Sequence, residues 1–362
     1  TEYFGTDYGV MQLAVSAYLA MTALLQIAIG PVADRYGRRP VLLTGLAVFL
    51  VATVGCLLAP SVEVFLAFRM LQAVVASGMV LSRAIVRDMV PAEQAASMIG
   101  YVTMGMALVP MVGPMIGGFL DELYDWHATY GFLLLMGIVV LVLIWSDLGE
   151  TVRGGGLTFR EQLRGYPELL RSPRFWGYAS CAAFGSGAFF ALLGGTSFVA
   201  SGIFGLSPMW AGLALGSPAI GYTFGNFLSG RFSVRVGINL MALAGTAVAT
   251  AGMALSLALT LGGLVHPIAF FGCCTLLGMG NGLMLPNATA GSLSVRPQLA
   301  GTASGLGGAI MIGGGAAMAA LAGALLTVET GTLPLQIIML ITSALAGVAI
   351  LLVIRRERRL RL

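Results

Sequence analysis

The chain has 362 residues, 58% of them apolar and only 9% charged, with a formal net charge of +4. Soluble domains average roughly 45–50% apolar and 25% charged residues, so this chain lacks the polar groups to cover a water-facing surface, which excludes a soluble enzyme. The apolar residues fall in blocks of about 20, the length a helix needs to cross a hydrocarbon core ~30 Å thick, and this predicts an all-α membrane protein.

Eleven blocks follow one another, near residues 11–33, 41–59, 61–83, 95–120, 128–147, 175–200, 208–230, 239–261, 267–289, 299–326 and 333–354. The first contains Tyr18 and Gln26 and runs into GPVADRYGRRP at 30–40, with Gly30, Asp34, Arg35, Gly37, Arg38 and Arg39. Small glycines at helix ends allow a turn or close backbone approach. Membrane anchoring accounts for the arginines but not for Asp34. A carboxylate there can bond an arginine or the free N–H groups of a neighbouring helix end. The second, fifth and last blocks are apolar on every side and are expected to face lipid.

The third block holds Arg69, about 8 residues from its outer end and so roughly 12 Å deep. An arginine at such depth costs about 2.5–3.5 kcal/mol on insertion scales and faces a cavity or a partner. Gln72 shares its face. Snorkelling outward is the competing reading, weakened by the depth. The fourth block carries Tyr101 and then GPMIGG at 113–118, where Gly113, Pro114, Gly117 and Gly118 allow bending and close helix contact. Tight packing alone fits the same residues. Phe184 in the sixth block, Tyr222 and Asn226 in the seventh and Asn281 in the ninth are further candidates for a cavity lining, with helix packing as the alternative for the aromatics. No arginine answers Arg69 near Phe270 and Phe271, so such a cavity is expected to be electrostatically lopsided. Residues 1–148 and 175–362 are read as two halves joined by 149–174, where Phe159, Leu163, Tyr166 and Leu170 suggest a segment lying on the membrane.

All 19 basic residues are arginine. With the tail RRERRLRL taken as cytoplasmic and the sides alternated backwards, 18 of the 19 fall inside, and only Arg69 lies within a span. The positive-inside rule therefore places the C-terminus in the cytoplasm. Eleven spans then put Thr1 outside. A shift of 200 residues superposes Gln26 on Asn226, Gly30 on Gly230, Arg35 on Arg235 and Gly37 on Gly237. Under that repeat the sixth block has no partner in the first half, so one helix is expected to precede residue 1. The whole would have twelve spans in two related halves.

These motifs resemble the major facilitator superfamily over essentially the whole chain. GPVADRYGRRP is similar to the signature between helices 2 and 3, and GPMIGG to the helix 5 signature of antiporters, with Val109 where a further Gly is usual. FRMLQ at 68–72 resembles a helix 4 signature, with Ala73 replacing its Gly. LGET at 148–151, NGLMLPNA at 281–288 and AGTASGLGG at 300–308 resemble the bicyclomycin/chloramphenicol-resistance branch, the Bcr/CflA drug efflux family.

The resemblance implies a major facilitator fold of two pseudo-symmetric six-helix halves, here with eleven spans. It implies a monomer that exchanges small molecules and protons across a bacterial inner membrane, contacts membrane lipids and binds no nucleic acid. Asp34 and its arginine neighbours would latch the halves in an outward-open state, and a helix 1 acid would carry the proton.

No Walker A loop or hydrolase motif occurs, which predicts no cofactor and no direct ATP drive. His127 and His266 are read as outer-loop residues, and Cys56, Cys181, Cys273 and Cys274 lack metal spacing. The expected function is proton-coupled export of drug-like or metabolite molecules. An uptake symporter or facilitator, or a non-transporting membrane sensor on the same fold, are the alternatives.

Overall fold

The computed structural model describes residues 8–151, 166–206, 208–326 and 329–360 and is helical almost throughout. Helices α1 (Tyr8–Tyr36) and α2 (Arg38–Leu57) are followed by α3 (Val62–Leu71), a 3-10 turn over Gln72–Val75, and α4 (Ala76–Met89). Next come α5 (Ala92–Leu123), α6 (Trp126–Asp147), α7 (Pro173–Ser197) and α8 (Pro208–Val236). The chain ends with α9 (Ile238–Leu261), α10 (Pro267–Ser294), α11 (Ala300–Leu325) and α12 (Leu333–Leu360).

Among the described residues, eight helices or joined helix pairs are long and apolar enough to cross a membrane. The first, fourth and seventh expected blocks are occupied by α1, α5 and α8, each of which includes side chains outside the described residues. Pro31, Pro218 and Pro286 sit inside α1, α8 and α10 without ending them. Neighbouring helices in a packed bundle supply the backbone partners such prolines displace. Of the connecting segment, Tyr166 and Leu170 belong to a short helical turn, while Phe159 and Leu163 lie outside the described residues. The third block departs from a single straight helix, because it breaks into a 3-10 turn at Gln72 and then runs on to Met89, carrying Arg83 and Arg87 in its last turns.

The chain folds as two compact units. One takes residues 1–89, 112–166 and 296–309, and the other takes 90–111, 167–295 and 310–362. In the first unit Ile29 and Ala33 of α1, Leu42 of α2 and Val80, Leu81 and Ile85 of α4 form a buried cluster. In the second, Phe270, Phe271, Cys274 and Leu277 of α10 pack with Leu192, Met253 and Met339 of α7, α9 and α12.

Glycine makes the second unit tight. Gly221 and Gly225 of α8 lie against the backbone of Thr275 and Met279, and Gly278 and Gly282 of α10 lie against Pro218 and Tyr222. Small residues four apart on both helices let two backbones touch, and dispersion plus weak C–H···O contacts replace the hydrophobic drive that lipid does not supply.

Of the blocks expected to face lipid, α6 is left largely uncovered, with only 6% of its apolar stretch buried, although Gly137 lies against Leu50 and Phe49 of α2. The expectation fails for α12, where 44% is buried against 39% for the α3–α4 pair. Its inner face is polar: the fully buried Gln336 donates to Ser256 Oγ (2.9 Å) and Thr260 Oγ1 (2.8 Å), and Thr342 and Ser343 are buried as well. One amide and two hydroxyls spaced along a greasy helix barely dent its mean hydropathy; the Gln336 amide binds it to α9, while Thr342 turns back to Ile338 O (2.7 Å) in its own helix.

A valine at Gly282 is expected to force α8 and α10 apart, costing at least the ~1–3 kcal/mol typical of overpacking. A lowered thermal midpoint in detergent checks this. Gly272→Val, at an exposed position with no neighbour within 4 Å, should leave the midpoint unchanged.

Candidate functional site

The densest polar site lies in the first unit, where the end of α1 meets the start of α11. The first N–H groups of any helix lack intrahelical partners and carry part of its positive dipole end. Here Asp34 supplies the partner across 267 positions of sequence. Its Oδ1 accepts from Gly301 N (3.0 Å) and Arg38 Nη1, and its Oδ2 accepts from Thr302 N (2.8 Å) and Thr302 Oγ1 (2.7 Å). Four donors fill the acceptor capacity of an ionised carboxylate.

The approach needs small residues on both sides. Side chains at Gly30, Gly301 or Gly305 would collide with backbone of the facing helix, and one at Gly308 would strike the Gln26 amide. Gln26, Gly30 and Asp34, four residues apart, thus form the face of α1 on which α11 begins. Ser304 Oγ donates to Val80 O (3.0 Å), tying the same turn to α4.

Arg38 extends the network. It is buried and reaches Asp34 with one nitrogen and Asp88 Oδ2 with Nε (3.0 Å). Glu150 then caps α2, accepting from Arg38 N (2.9 Å) and Arg39 N (3.2 Å). Gly37 precedes that helix with φ 98, a left-handed conformation, and any Cβ there would strike the Glu150 carboxylate. Arg39 Nη2 donates to Trp145 O (2.8 Å), and the Arg35 guanidinium lies over the Tyr36 ring at 5.4 Å. All six residues expected in this loop therefore sit at one junction. Glu150, Asp88 and Thr302 complete it and were not singled out by sequence. LGET and AGTASGLGG contain two of them and were the available signal.

A second polar chain in the same unit surrounds Arg69. Its Nη1 donates to Gln72 Oε1 (2.8 Å), and Gln72 Nε2 donates to Thr53 Oγ1 (2.8 Å). The guanidinium stands 4.4 Å from the centroid of the Tyr18 ring, a cation–π contact. Gln72 and Thr53 are wholly buried, whereas Arg69 is half-buried. Arg69 and Gln72, read from sequence as sharing one helical face, are hydrogen-bonded to each other, and the Tyr18 ring lies against the guanidinium.

The remaining candidates lie in the second unit. Asn226 is fully buried, donating to Tyr222 O (2.8 Å) and accepting from Thr103 Oγ1, while Tyr101 lies over Gly230 and is 40% exposed. Asn281 donates to Gly185 O (3.1 Å), and its Oδ1 has no partner among the described residues. Phe184 lines a groove between α7 and α12. Helix α5 passes unbroken through the GPMIGG segment, and Gly117 packs beside Thr129. The side chains of Gly113, Pro114 and Gly118 lie outside the described residues. His127 is not in a loop, since it forms the first turn of α6, stacked on Trp126 and 3.0 Å from Asp125 Oδ2.

A family model described as Major Facilitator Superfamily matches residues 1–320. An uncharacterized MFS-type transporter of Bacillus subtilis is 30% identical over 94% of this chain and 85% of its own. A chloramphenicol resistance protein of Pseudomonas aeruginosa is 32% identical over 85% of this chain and 74% of its own. Among solved structures, the fucose:proton symporter of Escherichia coli matches with a TM-score of 0.80 at 14% identity, covering 96% of this chain and 91% of that one.

If Asp34 and Thr302 act as one cap, Asp34→Asn and Thr302→Val will not be additive. A double-mutant cycle on unfolding in detergent should give a coupling of about 0.5–3 kcal/mol. Additive losses would mean that the two side chains stabilise the fold independently.

Proposed function

The chain belongs to the major facilitator superfamily, in its bicyclomycin and chloramphenicol resistance branch, and from that premise we propose that it exports drug-like or small metabolite molecules in exchange for protons. It is a multi-pass inner-membrane transporter and not an enzyme. The observation that carries the export reading is the 32% identity to a chloramphenicol resistance protein across most of both chains. Resistance to a drug that acts inside the cell calls for outward movement, and with no Walker A loop in the sequence that movement runs downhill or on an ion gradient, of which we take the proton gradient.

In this reading the clasp around Asp34 closes the cytoplasmic end, and its release lets the cavity open inward. Asp34 serves as the latch, since its acceptor positions are already filled by helix N–H groups, a hydroxyl and Arg38. Arg69, poised by Gln72 and Tyr18, contacts the substrate or the proton path, with Tyr101, Phe184, Tyr222, Asn226 and Asn281 as further lining. GPMIGG serves the conformational change. The 18 arginines that the alternation of sides assigns to inside segments support a cytoplasmic C-terminus.

Reconstitution in vesicles with an imposed proton gradient tests this. Substrate should move against the direction of proton flow, from a panel that includes chloramphenicol, and a protonophore should abolish the movement. Movement in the same direction as the proton would instead make the protein a symporter, and no flux with any compound would favour a non-transporting role. Arg69→Ala should lower flux at least 10-fold with little change in thermal midpoint. Unchanged transport would remove Arg69 from the cavity.

A further inference from the structure

We propose that the groove between α7 and α12 binds one anionic phospholipid of the surrounding bilayer, phosphate on the tail arginines and acyl chain along the apolar floor. The proposal rests on the membrane location of the chain and not on its substrate or direction of transport.

The groove measures about 730 Å³. On α12 its wall is Leu345, Val348 and Leu352 followed by Arg355, Arg356 and Arg359, which share one helical face. On α7 the facing wall is Trp176, Gly177, Ser180 and Phe184, again one face, with Arg171 just before the helix. At 1.5 Å per residue the apolar stretch from Leu345 to Leu352 runs about 10 Å, within one leaflet of ~15 Å, and the arginines lie beyond it at headgroup depth. The floor is shallow because Gly177 touches Val353, where no Cβ would fit.

Two further observations specify the occupant. None of Arg171, Arg355, Arg356 and Arg359 has an ion-pair partner among the described residues. The acid within the tail is turned inward instead: Glu357 accepts from Arg174 Nη2 (2.8 Å), Tyr178 OH (3.1 Å) and Asn239 Nδ2. Four guanidinium groups are thus left beside large exposed apolar groups, with Trp176 at 42%, Val348 at 52% and Leu352 at 58% exposure. A free anion would satisfy the arginines alone, and an uncharged lipid the apolar wall alone. An anionic phospholipid satisfies both. Trp176, whose Nε1 donates to Leu170 O, sits between the two zones, as indoles do at membrane interfaces.

The test uses the purified full chain, stripped of lipid, with phosphatidylglycerol, with phosphatidylcholine of the same acyl chains, or with inorganic phosphate. Native mass spectrometry reads retention, and a thermal shift reads stabilisation. Phosphatidylglycerol should be retained and raise the thermal midpoint, while phosphatidylcholine and phosphate should do neither. Replacing Arg355, Arg356 and Arg359 together by Gln should weaken phosphatidylglycerol retention roughly 100-fold, from about 1 kcal/mol per arginine converted at 1.4 kcal/mol per tenfold. Leu352→Trp keeps every charge and fills the apolar wall, and it too should lower retention. Equal retention of both lipids overturns the proposal, as does stabilisation by phosphate alone. So does undiminished retention in a folded triple variant or, should that variant not fold, in Leu352→Trp.

Discussion

The first turn of α11 has to find hydrogen-bond acceptors, and the arrangement of the first unit follows from that need. The chain enters the helix from a 3-10 turn at Pro297–Leu299, and Ala300 and Gly301 have no side chain that could cap it. Asp34 provides the cap from α1. For its carboxylate to come within 3 Å of two backbone nitrogens, the helices must nearly touch, which accounts for glycine at 30, 301 and 305. A buried carboxylate then calls for positive charge, and Arg38 arrives one turn later. Arg38 is buried in its turn, and Asp88 answers it. Each carboxylate at the junction has a positive partner: Asp34 and Asp88 share the Arg38 guanidinium, and Asp34 and Glu150 also accept from the N–H groups that open α11 and α2. Charges paired in this way can be buried without the penalty an unpaired ion would bring.

The repeat has kept the geometry of this junction in the second half and changed its chemistry. Gly37 and Gly237 both precede a helix with positive φ, 98 and 87. Glu150, just after α6, meets the backbone at the start of α2, and Glu357, near the end of α12, meets Asn239 at the start of α9. The position equivalent to Asp34 is Val234, which is 50% exposed and caps nothing. Among the described residues, a carboxylate therefore caps a facing helix at this position of the repeat in the first copy and not in the second. The second copy holds its acid with Tyr178, Asn239 and Arg174, all within the second unit.

Composition and block length made the helices legible, because the bilayer imposes a length and a polarity that any sequence must meet. The Gly-framed Asp34 was legible as well, since a carboxylate in that setting has few possible partners. Its actual partners were not. Gly301 and Thr302 lie 267 and 268 positions away, and Glu150, which caps α2, lies 112 positions from Arg38; nothing local marks any of them as a partner at a helix end. The break at Gln72 was hidden for a different reason. Gln-Ala-Val-Val has no Gly or Pro, and the turn tightens where Gln72 reaches between Arg69 and Thr53. The buried polar face of α12 escaped because Gln336, Thr342 and Ser343 are diluted among aliphatic neighbours.

Helices α5 and α11 each belong to both compact units, and where they change over is informative. In α5 the change falls between Met111 and Val112, immediately before Gly113-Pro114. In α11 it falls between Ala309 and Ile310, between Gly307-Gly308 and the run Gly313-Gly314-Gly315. Proline cannot donate to the preceding turn, and each glycine in a helix interior gives up about 1 kcal/mol relative to alanine. Proline and paired glycines are the residue types at which helices most often kink, and both changeovers lie beside them. At the far end of the shared stretch of α11, the Asp34 cap holds its first turn firmly to α1. The cap at the start of α11 is thus followed, about ten residues later, by the glycine run at 313–315, so one helix carries both its firmest hydrogen bonds and the residue type least favourable to a helix interior.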